Sequence, residues 1–92
     1  MKDEPWSPPL VALDRRDPVV CHLLAWELHE HSGEWHAWVM WVRERRGEPF
    51  RHVVAVPASG VRRVEQPEAY AQVPRRVRGR DGQVRPWTRA LP

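Results

Sequence analysis

The feature that most limits how this chain can fold is residues 34–56, where two runs rich in Trp and β-branched residues flank a charged turn. The first run is Trp35–Val42 and the second is Phe50–Val56. The connection, Arg-Glu-Arg-Arg-Gly-Glu-Pro, contains the Gly and Pro that are typical of turns. Because runs of this length and composition favour strands, we expect an antiparallel hairpin with its charged turn in solvent.

Trp35–Val42 is largely apolar on both of its alternating faces. Such a strand is central, bent, or covered on both sides. Its three tryptophans and Trp26 cannot all face one small interior, so we expect a protein partner or a second copy, forming a homodimer, to cover part of this surface. Another segment of the same chain is the alternative cover. The predicted partner interface consists of Trp35, Trp38 and Trp41.

Val19–His31 fits two templates. As a strand, it alternates apolar residues such as Trp26 with polar ones such as Glu27. As a helix, it would begin after an N-cap at Asp17 and end at Gly33. The strand is favoured, because the loop that follows it would then form a hairpin turn into the central run. The helix remains open as an alternative.

The positions of proline divide the chain into three parts. Residues 1–9 contain three Pro and predict an extended arm, and residues 10–65 contain the predicted strands. Residues 66–92 begin with good helix formers after Pro67 and continue as a basic tail. The predicted fold is therefore mainly β: a small antiparallel barrel of four to five strands, with one short helix near residues 67–72 and a basic C-terminal extension.

The number of strands, the loop lengths and the break at Pro57–Gly60 before a last short strand, Val61–Val64, resemble the small barrels of the Src-homology and Tudor type. The resemblance covers about residues 10–65 and is to a superfold, not to one family. It implies a binding domain, for proline-rich peptides, modified tails, nucleic acids or other subunits. Peptide-binding members usually have an acidic loop and a Tyr-rich groove, whereas this chain has one Tyr and a basic hairpin loop.

Charge is unevenly distributed along the chain. Residues 1–34 carry three basic and seven acidic side chains, whereas residues 35–92 carry twelve and five. Fourteen of the fifteen basic residues are Arg, and the chain has no Asn or Ile, which indicates a GC-rich, bacterial genome and makes the Arg count alone weak support for nucleic-acid binding. The uneven distribution indicates an anionic partner for the second half, or a partner chain that contacts both the acidic and the basic part. An anionic nucleic acid would suit these residues, because Arg donates two parallel hydrogen bonds to phosphate and Trp stacks on bases.

The leading functional hypothesis is therefore a nucleic-acid-associated accessory module that binds DNA or RNA. The alternative hypothesis is a protein–protein adaptor that forms a homodimer through the Trp-rich sheet. For the first hypothesis, the tail and the hairpin loop supply the candidate residues: Arg75, Arg76, Arg78, Arg80, Arg85, Trp87, Arg43 and Arg45.

Other kinds of site are poorly supported by the sequence. Cys21 is the only Cys, so an internal disulfide and a cysteine metal cluster are excluded. His29 and His31 would lie on one face of a strand, but no further zinc ligands follow at a recognised spacing. We expect no catalytic residues, no metal and no cofactor. With no apolar run long enough to span a membrane and no export signal pattern, we expect a cytoplasmic protein without membrane contact.

Overall fold

The computed structural model describes residues 7–88, which form one seven-stranded sheet and two short 3-10 turns. The 3-10 turns are Ala58–Gly60 and Pro67–Tyr70. The strands are β1 Leu10–Leu13, β2 Val19–His29, β3 Glu34–Arg45, β4 Glu48–Pro57, β5 Val61–Arg63, β6 Arg75–Arg78 and β7 Val84–Pro86.

The strand β2 is the centre of the sheet. The main strand order is β4-β3-β2-β1-β5, and all of its pairings are antiparallel. The first half of β2 pairs with β1, and its second half pairs with β6, which runs parallel to it and carries β7 on its other side. A single long strand therefore holds two separate sub-sheets against the β3–β4 hairpin.

A β-bulge at Leu24 decides which side of the sheet the later β2 residues face. Leu23 lies opposite Val39, but Ala25 lies opposite Trp38. The extra residue shifts the alternation, so Leu23 and Glu27 point to opposite faces although they are an even number of residues apart. We call these sides the core face, which carries Leu23 and Val39, and the Glu27 face.

The hydrophobic core lies on the core face. Its buried members from the strands include Val11, Cys21, Leu23 and Val39. The second 3-10 turn closes one side of it, because the Tyr70 hydroxyl accepts hydrogen bonds from two backbone N–H groups of residues 64 and 65 and donates one to the carbonyl of residue 10. The turn is thereby held against both β1 and the segment that follows β5.

The structure confirms the mainly β fold and the strand assignment of residues 19–29. The central hairpin is also confirmed, with Trp35–Val42 within β3 and Phe50–Val56 within β4. A closed barrel is not confirmed, because β4 and β5 are the two ends of the sheet and do not pair with each other among residues 7–88. A helix near residues 67–72 is not confirmed either: Pro67–Tyr70 forms only a 3-10 turn.

The segment predicted as a basic extension joins the sheet as β6 and β7. Among the described residues, no helix is long and apolar enough to cross a membrane.

The turn between β3 and β4 has two residues, Arg46 and Gly47, with positive φ angles of 54° and 81°. This geometry matches the right-handed twist of a hairpin. A side chain at position 47 would meet no heavy atom within 4 Å. Gly47→Ala should therefore cost only the backbone conformation, about 1 kcal/mol of the free energy of unfolding.

Gly60→Ala is the matched control for this substitution. Gly60 has equally open surroundings but no positive φ, so the added methyl should leave stability unchanged or raise it slightly. Urea unfolding of both variants measures the difference. Equal effects of the two substitutions would contradict the assigned turn.

Candidate functional site: a tryptophan–arginine cleft

The side chain that positions the candidate site is Glu27, whose carboxylate is fully buried. Arg76 donates from Nε to Oε2 at 2.9 Å, and Arg78 donates from Nε to Oε1 at 2.8 Å. The indole N–H of Trp38 donates to Oε2 at 3.0 Å, and His29 Nε2 lies 3.0 Å from Oε1. Both oxygens thus accept hydrogen bonds, as a buried carboxylate requires.

The surroundings of Glu27 keep it ionised. Burial by itself would raise the pKa of this carboxyl, but hydrogen bonds from Arg78, Trp38 and Arg76, together with the charge of Arg78, outweigh burial and lower the pKa to about 2. The carboxylate and the two guanidinium groups therefore form an ion cluster that joins β2 to β6, and we call it the Glu27 cluster.

The Glu27 cluster fixes which face each β6 residue occupies. Arg76 and Arg78 lie beside Glu27 and His29 in the parallel register, on the Glu27 face. Because alternate residues of a strand point to opposite faces, Arg75 and Val77 point to the core face. The backbone N–H of Trp87 donates to the backbone carbonyl of Arg75 at 3.0 Å, which holds Trp87 next to the core face.

An open cleft lies on the core face, beyond the packed core. It has a volume of about 550 Å³. Trp35 and Trp87 meet edge to face, with ring centroids 5.7 Å apart and planes at 72°. Arg75 lies over the Trp87 ring at 5.7 Å and Arg63 over the Trp26 ring at 5.8 Å. We call it the tryptophan–arginine cleft, and its lining residues are Trp26, Trp35, Ala58, Val61, Arg63, Arg75 and Trp87.

The arginines of β5, β6 and β7 differ in their partners. Arg76 and Arg78 are bound to Glu27, and Arg85 donates to Glu30 at 2.7 Å. Arg63 and Arg75, in contrast, form no ion pair with a carboxylate within residues 7–88 and stack on aromatic rings instead. The cleft therefore contains positive charge that an external anion can neutralise.

Of the residues predicted to bind nucleic acid, the structure brings only Arg75 and Trp87 together in the cleft. Arg80 is exposed in the loop after β6 and is not among the residues that line the cleft. Arg43 and Arg45 lie near the turn end of β3, about 30 Å along the strand from Trp35. Arg89, in the same predicted tail, lies outside the described residues, as does Trp6 in the predicted arm.

The three tryptophans predicted as one interface do not share a surface. Trp35 lines the cleft, and Trp41 packs against the core with its ring edge to face with His52. Trp38 is on the Glu27 face, bonded to Glu27 and covered by the Arg76 guanidinium at 5.5 Å from its ring. Segments of the chain itself therefore cover much of this aromatic surface.

Sequence reasoning missed Glu27, Trp26 and Arg63 as site residues. The sequence did contain a usable signal for Glu27. Glu27 and His29 are two residues apart, as are Arg76 and Arg78, and such pairs can face each other across neighbouring strands. Trp26 and Arg63 gave no such signal, because β2 and β5 are far apart in sequence and are brought together only through β1.

The remaining reactive side chains have structural surroundings. Burial raises the pKa of the Cys21 thiol, with the charge of Arg15 opposing this, and Cys21 lies in the core. His29 is bound to Glu27 and stacks on His36 with centroids 4.0 Å apart. In the part of the chain that the structure describes, no three His, Cys, Asp or Glu side chains are grouped so as to hold a metal ion.

No protein-family model, curated protein sequence or solved structure matches this chain.

The Glu27 cluster predicts a loss of stability in acid. Since the pKa falls from 4.5 to about 2 on folding, the stabilisation by Glu27 is complete above pH 4.5 and is lost as the pH falls towards 2. A shift of this size corresponds to about 3 kcal/mol of the free energy of unfolding. Urea unfolding followed by Trp fluorescence, from neutral pH downwards, measures this loss.

Glu27→Gln is the control, because it lacks the titrating carboxyl at nearly the same volume. It should be less stable at neutral pH by about 3 kcal/mol, since two arginines lose their partner. Its stability should then fall less steeply than that of the wild type in acid. Parallel pH profiles of the two proteins would show that folding does not shift the pKa of Glu27.

Proposed function

We propose that this protein is a non-catalytic, nucleic-acid-associated accessory module that binds single-stranded DNA or RNA in the tryptophan–arginine cleft. One observation carries the proposal: three indole rings line the same open cleft as two guanidinium groups that have no carboxylate partner within residues 7–88. Aromatic faces and arginines in one groove are the combination that binds single strands without reading their sequence.

The aromatic part of the cleft suits a base. In an edge-to-face contact one ring uses only its edge, so the contact between Trp35 and Trp87 does not occupy the faces of that ring, and both tryptophans are only half-buried. A volume of about 550 Å³ is in the range of sites for small organic groups. Stacking of a base on such a ring contributes about 1–3 kcal/mol.

The cationic part suits the adjoining phosphate. Arg63 and Arg75 are both exposed, so a phosphate can reach their donors from solvent. Each guanidinium stacks on a ring, which restricts its motion and keeps its planar edge free for two parallel hydrogen bonds. A base stacked on a ring of the cleft therefore brings its own phosphate close to these two arginines.

The strand order is also consistent with the predicted superfold, and we infer a small barrel of the Src-homology or Tudor type. The order β4-β3-β2-β1-β5 and the 3-10 turn between β4 and β5 support this assignment. The strands β6 and β7 are an addition to that arrangement and supply Arg75 beside the cleft. Barrels of this type are binding folds with varied ligands, so the ligand is argued from the cleft.

The alternative hypothesis, an adaptor that forms a homodimer through the Trp-rich sheet, is less well supported. It requires Trp35, Trp38 and Trp41 to present one surface to a partner. They lie on two faces of the sheet, and Trp38 and Trp41 already have partners within the chain.

Binding of a labelled oligothymidylate, and of its RNA counterpart, tests the proposal by fluorescence anisotropy over a range of salt concentrations. We expect affinity to fall as salt rises, by a slope of about 0.7 per contacted phosphate. Arg75→Ala should weaken binding and reduce the slope by about 0.7. Trp87→Ala should weaken binding by the stacking energy, about 1–3 kcal/mol, with little change of slope.

Arg45→Ala is the matched control, because it removes the same charge far from the cleft at the turn end of β3. It should leave both affinity and slope nearly unchanged. If Arg45→Ala and Arg75→Ala weaken binding equally, the contact is a diffuse attraction and not the cleft. If folded wild-type protein binds neither strand at low salt, the proposed function is wrong.

A further inference from the structure

The outer edge of β4 has an unusual pattern of hydrogen-bond donors. Arg45 and Glu48 close the two-residue turn, and such a closing pair exchanges both of its hydrogen bonds. Pairs along an antiparallel ladder alternate, so in β4 the even-numbered residues bond to β3. The odd-numbered residues of β4 therefore direct their N–H and C=O groups away from the sheet.

Prolines occupy both ends of this outward-facing set. Pro49 and Pro57 fall at odd positions, where the missing N–H costs no bond to β3. The outward donors that remain are the N–H groups of Arg51, Val53 and Ala55. The edge is thus a short ladder with Val53 at its centre and a proline at equal distance on either side.

Nothing in residues 7–88 occupies this edge. The strand β4 is the end of the sheet, and none of the backbone hydrogen bonds outside the ladders involves β4. Val53 is 48 % exposed and Phe50 40 % exposed, so apolar side chains flank the free backbone groups on both faces. An exposed edge flanked by apolar side chains is normally blocked by charges or covered by another strand.

We propose that β4 pairs antiparallel with β4 of a second copy, about a two-fold axis at Val53. In this register Val53 lies opposite Val53 of the second copy, and Arg51 opposite Ala55. Every outward donor then meets an outward acceptor, and Pro49 lies opposite Pro57 where no donor is needed. The edge is complementary to itself, which is the condition for a closed two-fold interface.

The side chains across the axis are compatible with this pairing. Arg51, the charged side chain nearest the axis, lies opposite the small Ala55, so no like charges meet directly. On the core face, Phe50 lies opposite Val56 and His52 opposite Val54. Pairs of an aromatic or apolar residue with a β-branched residue stabilise neighbouring strands.

For the edge of β4, the β4 strand of a second copy is a better partner than the β5 strand of a second copy. The strand β5 is only three residues long, and pairing β4 with β5 of the next copy would leave some of the outward donors of β4 unpaired. It would also be a head-to-tail contact, which leads to rings or filaments and not to dimers. Since nine paired residues form a small interface, we expect a reversible dimer.

Sedimentation equilibrium of the full chain over a range of concentrations tests this pairing. Wild-type protein should shift from monomer to dimer and not beyond, whereas Val53→Lys should remain monomeric at every concentration, because two charges would meet at the axis. The control is Val42→Lys. Val42 is 63 % exposed on the same face but one strand inwards, so this variant should dimerise like the wild type.

The register has its own test. A mixture of Val53→Lys and Val53→Glu should recover the dimer as a one-to-one heterodimer, because only a two-fold axis at Val53 places position 53 against itself. Val53→Cys should form a disulfide-linked dimer under mild oxidation, since paired strands bring the two Cα atoms to a distance that a disulfide spans. Val42→Cys should not. Near-UV circular dichroism checks that each variant is folded.

Each other outcome overturns the proposal. A wild type that stays monomeric at all concentrations excludes the interface, and species larger than a dimer exclude two-fold closure. Loss of the dimer in Val42→Lys would place the contact on the sheet face and not on the edge. A dimer that survives Val53→Lys would show that copies meet elsewhere.

Discussion

The interaction on which the rest of this structure depends is the one between the buried Glu27 carboxylate and its hydrogen-bond donors. A carboxylate without partners in this position would be protonated or would unfold the sheet. Arg76, Arg78, Trp38 and His29 supply the partners from three strands. Buried ion pairs contribute less to stability than their charge suggests, because both ions lose water. We therefore infer that the main effect of this cluster is to select β2 as the partner of β6 and to set the register of that pairing.

That register has a consequence on the opposite side of the sheet. A shift of β6 by one residue would turn Arg76 and Arg78 to the core face and Arg75 to the Glu27 face. The observed register instead places Arg75 beside Trp26 on β2, and Trp87 follows through its backbone bond to Arg75. The geometry of the cleft is thus determined by an ion cluster that lies on the other face and does not touch it.

The sequence was sufficient for the central part of this fold and insufficient for its edges. The runs at Trp35–Val42 and Phe50–Val56 are local signals, because composition and turn residues suffice to identify a hairpin. The parallel pairing of β2 with β6 joins segments almost fifty residues apart, and an arginine-rich strand of four residues looks like a solvated tail. The bulge at Leu24 was also hidden, since one inserted residue leaves composition unchanged.

The same limit explains why the candidate site was found only in part. Trp87 and Arg75 were identified by residue type, whereas Trp26 on β2 and Arg63 on β5 are distant from them in sequence and meet them only in three dimensions.

The arginines of this chain show why a count of charges does not locate a binding surface. Arg75 and Arg76 are neighbours of the same type, yet Arg76 is bound to a buried carboxylate and Arg75 lies over the half-buried indole of Trp87. Strand alternation alone separates them, since each faces a different side of the sheet. A guanidinium without an internal carboxylate partner is freest to bind an external anion, and within residues 7–88 those at the cleft are Arg63 and Arg75. The net charge of +3 for the chain is therefore less informative than the distribution of its ion pairs.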